Sequence, residues 1–212
     1  MASPARWPIR LPSLAAGTPS WLVPAAIASV AAACSGRGRL RLAAAPAVAV
    51  SGALLWFFRD PERDTPAEGI ISGADGVVQS IDRQPDGRTR VAVFMNPLNV
   101  HVNRAPLAGT VTSLTHRPGG YLPAFNKDSE QNERMVWHFD TELGDVEVVQ
   151  IAGALVRRIV PYLAPGEKVE RGQRIGLIRF GSRLDVYLPP SVEPAVRVGD
   201  RTLAGITRLD AS

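Results

Sequence analysis

Two runs without a single charge dominate the first quarter of the chain: "TPSWLVPAAIASVAAAC" (18–34) and "LAAAPAVAVSGALLWFF" (42–58). Each lies at the short edge of the roughly 17–25 apolar residues that a membrane-crossing helix needs. Alanine-rich runs also suit buried helices of soluble proteins, but uncharged composition over both favours a membrane-associated region, residues 1–60. A cleaved signal peptide fits poorly, because a second apolar run follows with no clear small-residue cleavage site between them. "SGRGRLR" (35–41) separates the runs and holds Arg37, Arg39 and Arg41. If both runs cross, the two ends share one side. Arg6, Arg10, Arg59 and Arg63 then outnumber the loop arginines, which places the rest of the chain on the cytoplasmic face of the cell membrane. A shallow hairpin lying in one leaflet satisfies the same pattern.

"FFRDPERDTP" (57–66) reads as an exit linker, with Phe57 and Phe58 at the interface and two prolines among charges. Beyond about residue 68 the pattern changes to short β-branched runs between Gly, Pro and Asp turns, including "GVVQSID", "TRVAVFM", "GTVTSLT", "ERMVWHFD", "VEVVQIAG" and "IGLIRFG". Their spacing, about ten residues, and the absence of a long 3.6-residue period predict a mostly β domain, a barrel or sandwich, over 61–212. "APGEKVERGQRIGLI" (164–178) resembles the hairpins of biotinyl- and lipoyl-type β-barrels. "RPGGYLPAFNKDSEQNER" (117–134) is the longest polar stretch and reads as a loop near a site.

Charge narrows the function classes. The 24 basic residues against 20 acidic give a net charge of only +4, and no basic block is interleaved with aromatics, so nucleic acid is not an expected partner. A mild basic excess also suits an anionic membrane surface. The single cysteine, Cys34, excludes an internal disulfide and a cysteine-based zinc site. The three histidines, His101, His116 and His138, lack a paired metal-ligand spacing, so no metal is expected. No G-x-S-x-G elbow, Walker loop or dinucleotide fingerprint occurs.

What remains is "RFGSRLDVYLP" (179–189), a strand-like run carrying Gly181 and Ser182 side by side. Glycine inside a strand marks a bulge or a close backbone approach. A strained Gly–Ser bond near a base can rearrange: the hydroxyl attacks the preceding carbonyl, the amide becomes an ester, and elimination releases the upstream chain. Hydrolysis of the resulting dehydroalanine leaves a pyruvoyl group. Glycine suits the upstream position because it has no Cβ to block attack, and serine needs a neighbouring base to act as a nucleophile. The dipeptide alone is common.

"FFRDPERDTP", "FMNPLNVHVNRAPLAGTV", "NERMVWHFDTELGDVEVVQIAGALVRRI" and "GEKVERGQRIGLIRFGSRLDVYLP" together resemble the phosphatidylserine decarboxylase family, in its short, archaeal-type branch, over about residues 55–195. The resemblance implies a proenzyme that cuts itself between Gly181 and Ser182, giving a large β chain, 1–181, and a small α chain, 182–212, that stay together as a heterodimer. Ser182 would carry the pyruvoyl cofactor, which forms a Schiff base with the amine of phosphatidylserine and accepts the electrons released with CO2. Asp75 and His101 match the family's Asp and His that assist cleavage, with Asp75 expected to orient the imidazole. Where longer members have a second histidine, Arg104 stands here. Arg134, Lys127, Arg104 and Arg183 are candidates for the headgroup phosphate. The implied activity is decarboxylation of phosphatidylserine to phosphatidylethanolamine in phospholipid biosynthesis, at a membrane.

Three other readings fit parts of the chain. A biotinyl/lipoyl-type carrier would need a modified Lys168, which lacks Met-Lys-Met surroundings. A membrane-anchored structural β domain would remain a single chain. Pyruvoyl chemistry on another amine would not call for the apolar N-terminus.

Overall fold

A computed structural model describes residues 13–35, 38–120, 131–153, 158–179 and 182–211. Both uncharged runs are helical: α1 is Leu22–Cys34 and α2 is Gly38–Phe57. They pack against each other as a hairpin. Their outward faces are apolar, with Ile27, Leu42 and Val50 all at least 60% exposed. At 1.5 Å per residue the 13 residues of α1 reach about 20 Å, short of the ~30 Å hydrocarbon core, whereas the 20 of α2 match it. Thus α2 is the one described helix long and apolar enough to cross a membrane.

A two-stranded clip closes the base of the hairpin. Strand β1 (Ser13–Leu14) pairs antiparallel with β2 (Arg59–Asp60), so the chain enters and leaves the helices side by side. No α-helix is found among the described residues after β2.

The strands are β3 (Gly76–Arg83), β4 (Thr89–Met95), β5 (Val102–Arg104), β6 (Gly109–Arg117), β7 (Arg134–Thr141) and β8 (Gly144–Ala152). They continue with β9 (Ile159–Pro161), β10 (Lys168–Val169), β11 (Arg174–Ile178), β12 (Ser182–Leu188) and β13 (Arg201–Thr202). An eight-stranded antiparallel sheet runs β10-β6-β7-β8-β12-β4-β3-β13, and a three-stranded one runs β5-β11-β9. The mostly β expectation therefore holds. The expected hairpin over 164–178 does not form: β10 joins the large sheet and β11 the small one, so the two never pair.

Alternation sets the core. On β12, Leu184, Val186 and Leu188 face inward and join Val91, Val93, Met95, Trp137 and Val148 in the main cluster. A second, smaller cluster joins the helical hairpin to the three-stranded sheet through Leu22, Phe57, Phe58, Val100, Val102 and Leu177. The apolar region is thus packed onto the β domain rather than tethered to it.

Candidate functional site

Ser182 opens β12, where the chain passes from the three-stranded sheet, left at Ile178, into the eight-stranded one. It pairs with Met95 on one side and Ala152 on the other, and is fully buried. Its side chain shares the inward face of Leu184. Among the described residues the hydroxyl's one hydrogen bond goes to the Met95 sulfur at 3.8 Å, a weak acceptor. Gly181, the other half of the expected cleavage site, lies outside the described residues, as does Lys127.

Behind Met95 runs a chain of fully buried polar side chains. Asn103 Nδ2 donates to the same sulfur at 3.6 Å and to the Gly73 carbonyl at 3.4 Å. Gln150 Nε2 donates to Asn103 Oδ1 at 2.9 Å, and Trp137 Nε1 donates to Gln150 Oε1 at 2.8 Å. Buried amides are costly unless paired, so this chain fixes the Asn103 carboxamide beside the serine and ties the two sheets together.

His101 precedes β5 and is also fully buried. Its Nδ1 lies 3.0 Å from the Asn99 carbonyl oxygen. A carbonyl only accepts, so Nδ1 carries the proton and Nε2 presents its lone pair. Nε2 is buried and makes no hydrogen bond among the described residues. Burial pushes the imidazole down to about 4; the Asn99 contact opposes this, Arg59 adds to it, and Asp75 opposes it. The His101 carbonyl accepts from the Ile178 N–H at 3.2 Å, which places the residue at the end of β11. The site therefore offers a neutral base with a bare nitrogen and a buried hydroxyl without a strong partner.

The Asp75 carboxylate does not bind the imidazole. Arg63 grips it with two bonds, 2.6 and 2.8 Å, and the Ala204 N–H adds a third at 2.8 Å. The expected orienting role thus falls to the Asn99 carbonyl, and Asp75 acts on His101 through space. The turn that carries Asp75 is pressed against the site: a Cβ at Gly73 would sit 2.7 Å from the Arg104 carbonyl oxygen and 2.6 Å from Leu184 Cδ2.

Of the predicted phosphate ligands, Arg104, Arg183 and Arg134 lie among the described residues, and they are not gathered here. Arg104 turns toward the linker and donates to the carbonyls of Gly172 and Pro61, both at 2.9 Å, with Asp60 3.6 Å away. Arg183 faces the opposite side of β12 from Ser182, as the two-residue period requires, and pairs with Asp185 through two 2.8 Å bonds. Arg134 lies on that far face too, lining a groove of about 490 Å³ with His138, Asp185 and Tyr187. His138 and His116 pair with Asp145 and Glu133 near the surface, away from the serine.

Other cations stand at the foot of the helical hairpin. Arg59 reaches the Trp56 and Leu98 carbonyls at the foot of α2. Arg179 bonds the Gly17 carbonyl, with its guanidinium over the Phe58 ring, and its backbone pairs with Arg158. Both Arg59 and Arg179 occur in stretches read as linker and strand. Gln150, by contrast, left a signal: a lone amide in the apolar run "VEVVQIAG".

The family model for phosphatidylserine decarboxylase matches residues 51–209. The chain is 63% identical over 202 residues to the phosphatidylserine decarboxylase proenzyme of Thermobifida fusca (strain YX), covering 94% of this chain and 93% of the relative. The proenzyme of the same description from Streptomyces griseus is 62% identical over 199 residues, 93% of each. A chain from Methanococcoides burtonii with a provisional assignment as an archaetidylserine decarboxylase proenzyme is 53% identical over 156 residues, 73% of each.

Proposed function

Because the chain belongs to the phosphatidylserine decarboxylase family, we propose that Ser182 is the residue it modifies in itself and that His101 is the base. The chain decarboxylates phosphatidylserine to phosphatidylethanolamine and carbon dioxide, a step of phospholipid biosynthesis. The observation that carries the reading is the buried Ser182 hydroxyl at the crossing between sheets, together with the bare Nε2 of a neutral imidazole.

In this reading His101 Nε2 takes the hydroxyl proton, and Oγ attacks the carbonyl carbon of residue 181. The amide nitrogen of Ser182 leaves that carbon, so the peptide bond becomes an ester. Removal of the Cα proton expels the carboxylate of residue 181. Tautomerisation and hydrolysis then release ammonia and leave a ketone on the small chain, 182–212, which stays bound to the large chain, 1–181.

The surroundings of Ser182 fit a small carbonyl group. No charged side chain of β12 shares its face, and Asn103 offers a fixed N–H beside it. That group supplies a carbonyl that accepts the electrons left when carbon dioxide departs. The chain's own residues do the rest: Asn103 would hold the group, Met95 and Ala152 keep water out, and His101 returns a proton to the substrate Cα. Arg59, Arg158 and Arg179, at the foot of the hairpin, would receive the lipid phosphate in place of Arg134, Arg104 and Arg183. The domain 61–212 would then lie on the cytoplasmic face, held there by residues 1–60.

The test uses the purified full chain with vesicles containing phosphatidylserine. Carbon dioxide should be released, and phenylhydrazine should abolish that release. A Ser182→Ala chain should stay whole and inactive. Activity that survives the carbonyl reagent would overturn the proposed chemistry.

A further inference from the structure

Phe57 is the last residue of α2, and only 3% of it is exposed. Its ring centroid lies 4.4 Å from that of His101, with the planes tilted 37°. Phe58 meets it edge-on at 5.1 Å, and Val100, Val102 and Leu177 complete the apolar cluster. The foot of the helix that is long enough to cross a membrane is therefore the cover over the imidazole. The groups around His101 that carry charge are few. Arg59, on the α2 side, and Asp75, on the turn before β3, act on it through space, and the Asn99 carbonyl holds Nδ1. Among the described residues no side chain bonds Nε2, and the ring lies against Phe57.

We propose that Phe57 is a positioning residue for His101, sealing the imidazole under the end of α2 so that its bare nitrogen stays dry and neutral. Membrane anchor and base are then one structural unit. A helix foot that lifts away uncovers the imidazole, and water can stabilise the protonated ring. This rests on the reading of His101 as the base for Ser182.

The experiment follows the three histidines by NMR in the full-length, isotope-labelled Ser182→Ala chain, in phospholipid nanodiscs, with His101 assigned by substitution. Wild-type Phe57 should keep His101 titrating near 4. Phe57→Ala should move it toward the ordinary value of about 6.5, and Phe57→Leu, which keeps an apolar cover, should hold it low. The backbone amide signals of the β domain should keep their positions, which reports that the fold is intact. Should Phe57→Ala fail to fold, Phe57→Val must give an intermediate titration. An unmoved His101 in a folded variant with the smaller side chain overturns the proposal.

A second measurement separates this from the assignment of the base. In chains with Ser182 intact, made by cell-free synthesis, Phe57→Ala should slow self-cleavage about tenfold at about pH 5.5, where a pKa of about 6.5 leaves roughly a tenth of the imidazole neutral. At about pH 8 the two rates should agree. A His101 that shifts while the cleavage profile does not would leave the seal standing and remove His101 as the base.

Discussion

At the scale of single residues, the site depends on what its polar groups do not bind. Among the described residues Ser182 rests on a sulfur and His101 Nε2 on no partner, while the neighbouring amides of Asn103 and Gln150 are paired. Gln150→Leu should expose how much that pairing matters. It strips partners from the Trp137 N–H and Asn103 Oδ1, and should cost about 2–3 kcal/mol in urea unfolding of the uncut Ser182→Ala chain. With Ser182 intact it should slow appearance of the small chain on a denaturing gel. Asp75→Asn is expected to act differently from a classical triad substitution. The carboxylate is clamped by Arg63 with both side chains under a tenth exposed, so the change strands a buried guanidinium. The expected result is a loss of about 3 kcal/mol in the same unfolding assay. It should not alter which nitrogen of His101 carries the proton, a readout available from 15N shifts. Ser182, His101 and Asp75 were singled out in the sequence through their match to the family's motifs. Their partners were not, because Asn99 offers a backbone carbonyl and Arg63 lies in a stretch that reads as linker.

At the scale of elements, the period of the hydrophobic pattern was the reliable guide. It separated two apolar helices from a β domain, and alternation along β12 puts Ser182 and Arg183 on opposite faces. That same alternation, applied to "GSRLDVYLP", already argues against Arg183 as a ligand at the serine. Pairing was beyond reach: "GEKVERGQRIGLI" reads as a hairpin, yet its two strands belong to different sheets because Ala105 binds Gln173 and Gly172 across the gap. Nor does periodicity disclose that the foot of α2 is buried, since Phe57 and Phe58 look like interfacial aromatics. The exposed face of α2 carries its own prediction. Val50 is 60% exposed and apolar, so Val50→Asp should weaken co-sedimentation with vesicles at least about tenfold, given the roughly 2.5–3.5 kcal/mol penalty of Asp at a helix centre. The denaturation midpoint in detergent should stay within error. Unchanged vesicle binding would mean that this face does not meet lipid.

At the scale of the whole molecule, two sheets meet along a seam, and the chain crosses that seam at the residue it is proposed to modify. The buried neutral histidine at the seam makes stability depend on pH. Folded His101 takes up a proton near pH 4, whereas in the unfolded chain it does so near 6.5. Between those values the unfolded state holds more protons, so stability falls as the pH drops from about 6.5 to about 4, by about 3 kcal/mol. Above that window the contribution is fully present, and below it no more is lost. Denaturant titrations of Ser182→Ala across the window should show the slope, and His101→Gln should flatten it. The central claim is that the chain cuts itself before Ser182 and converts that residue. Intact mass of the purified wild-type protein tests it most directly. The predicted result is two chains, one of residues 1–181 and one of 182–212 lighter by one ammonia than the same peptide beginning with serine. A single uncut chain, or a small chain with a free serine amine at its start, would contradict it.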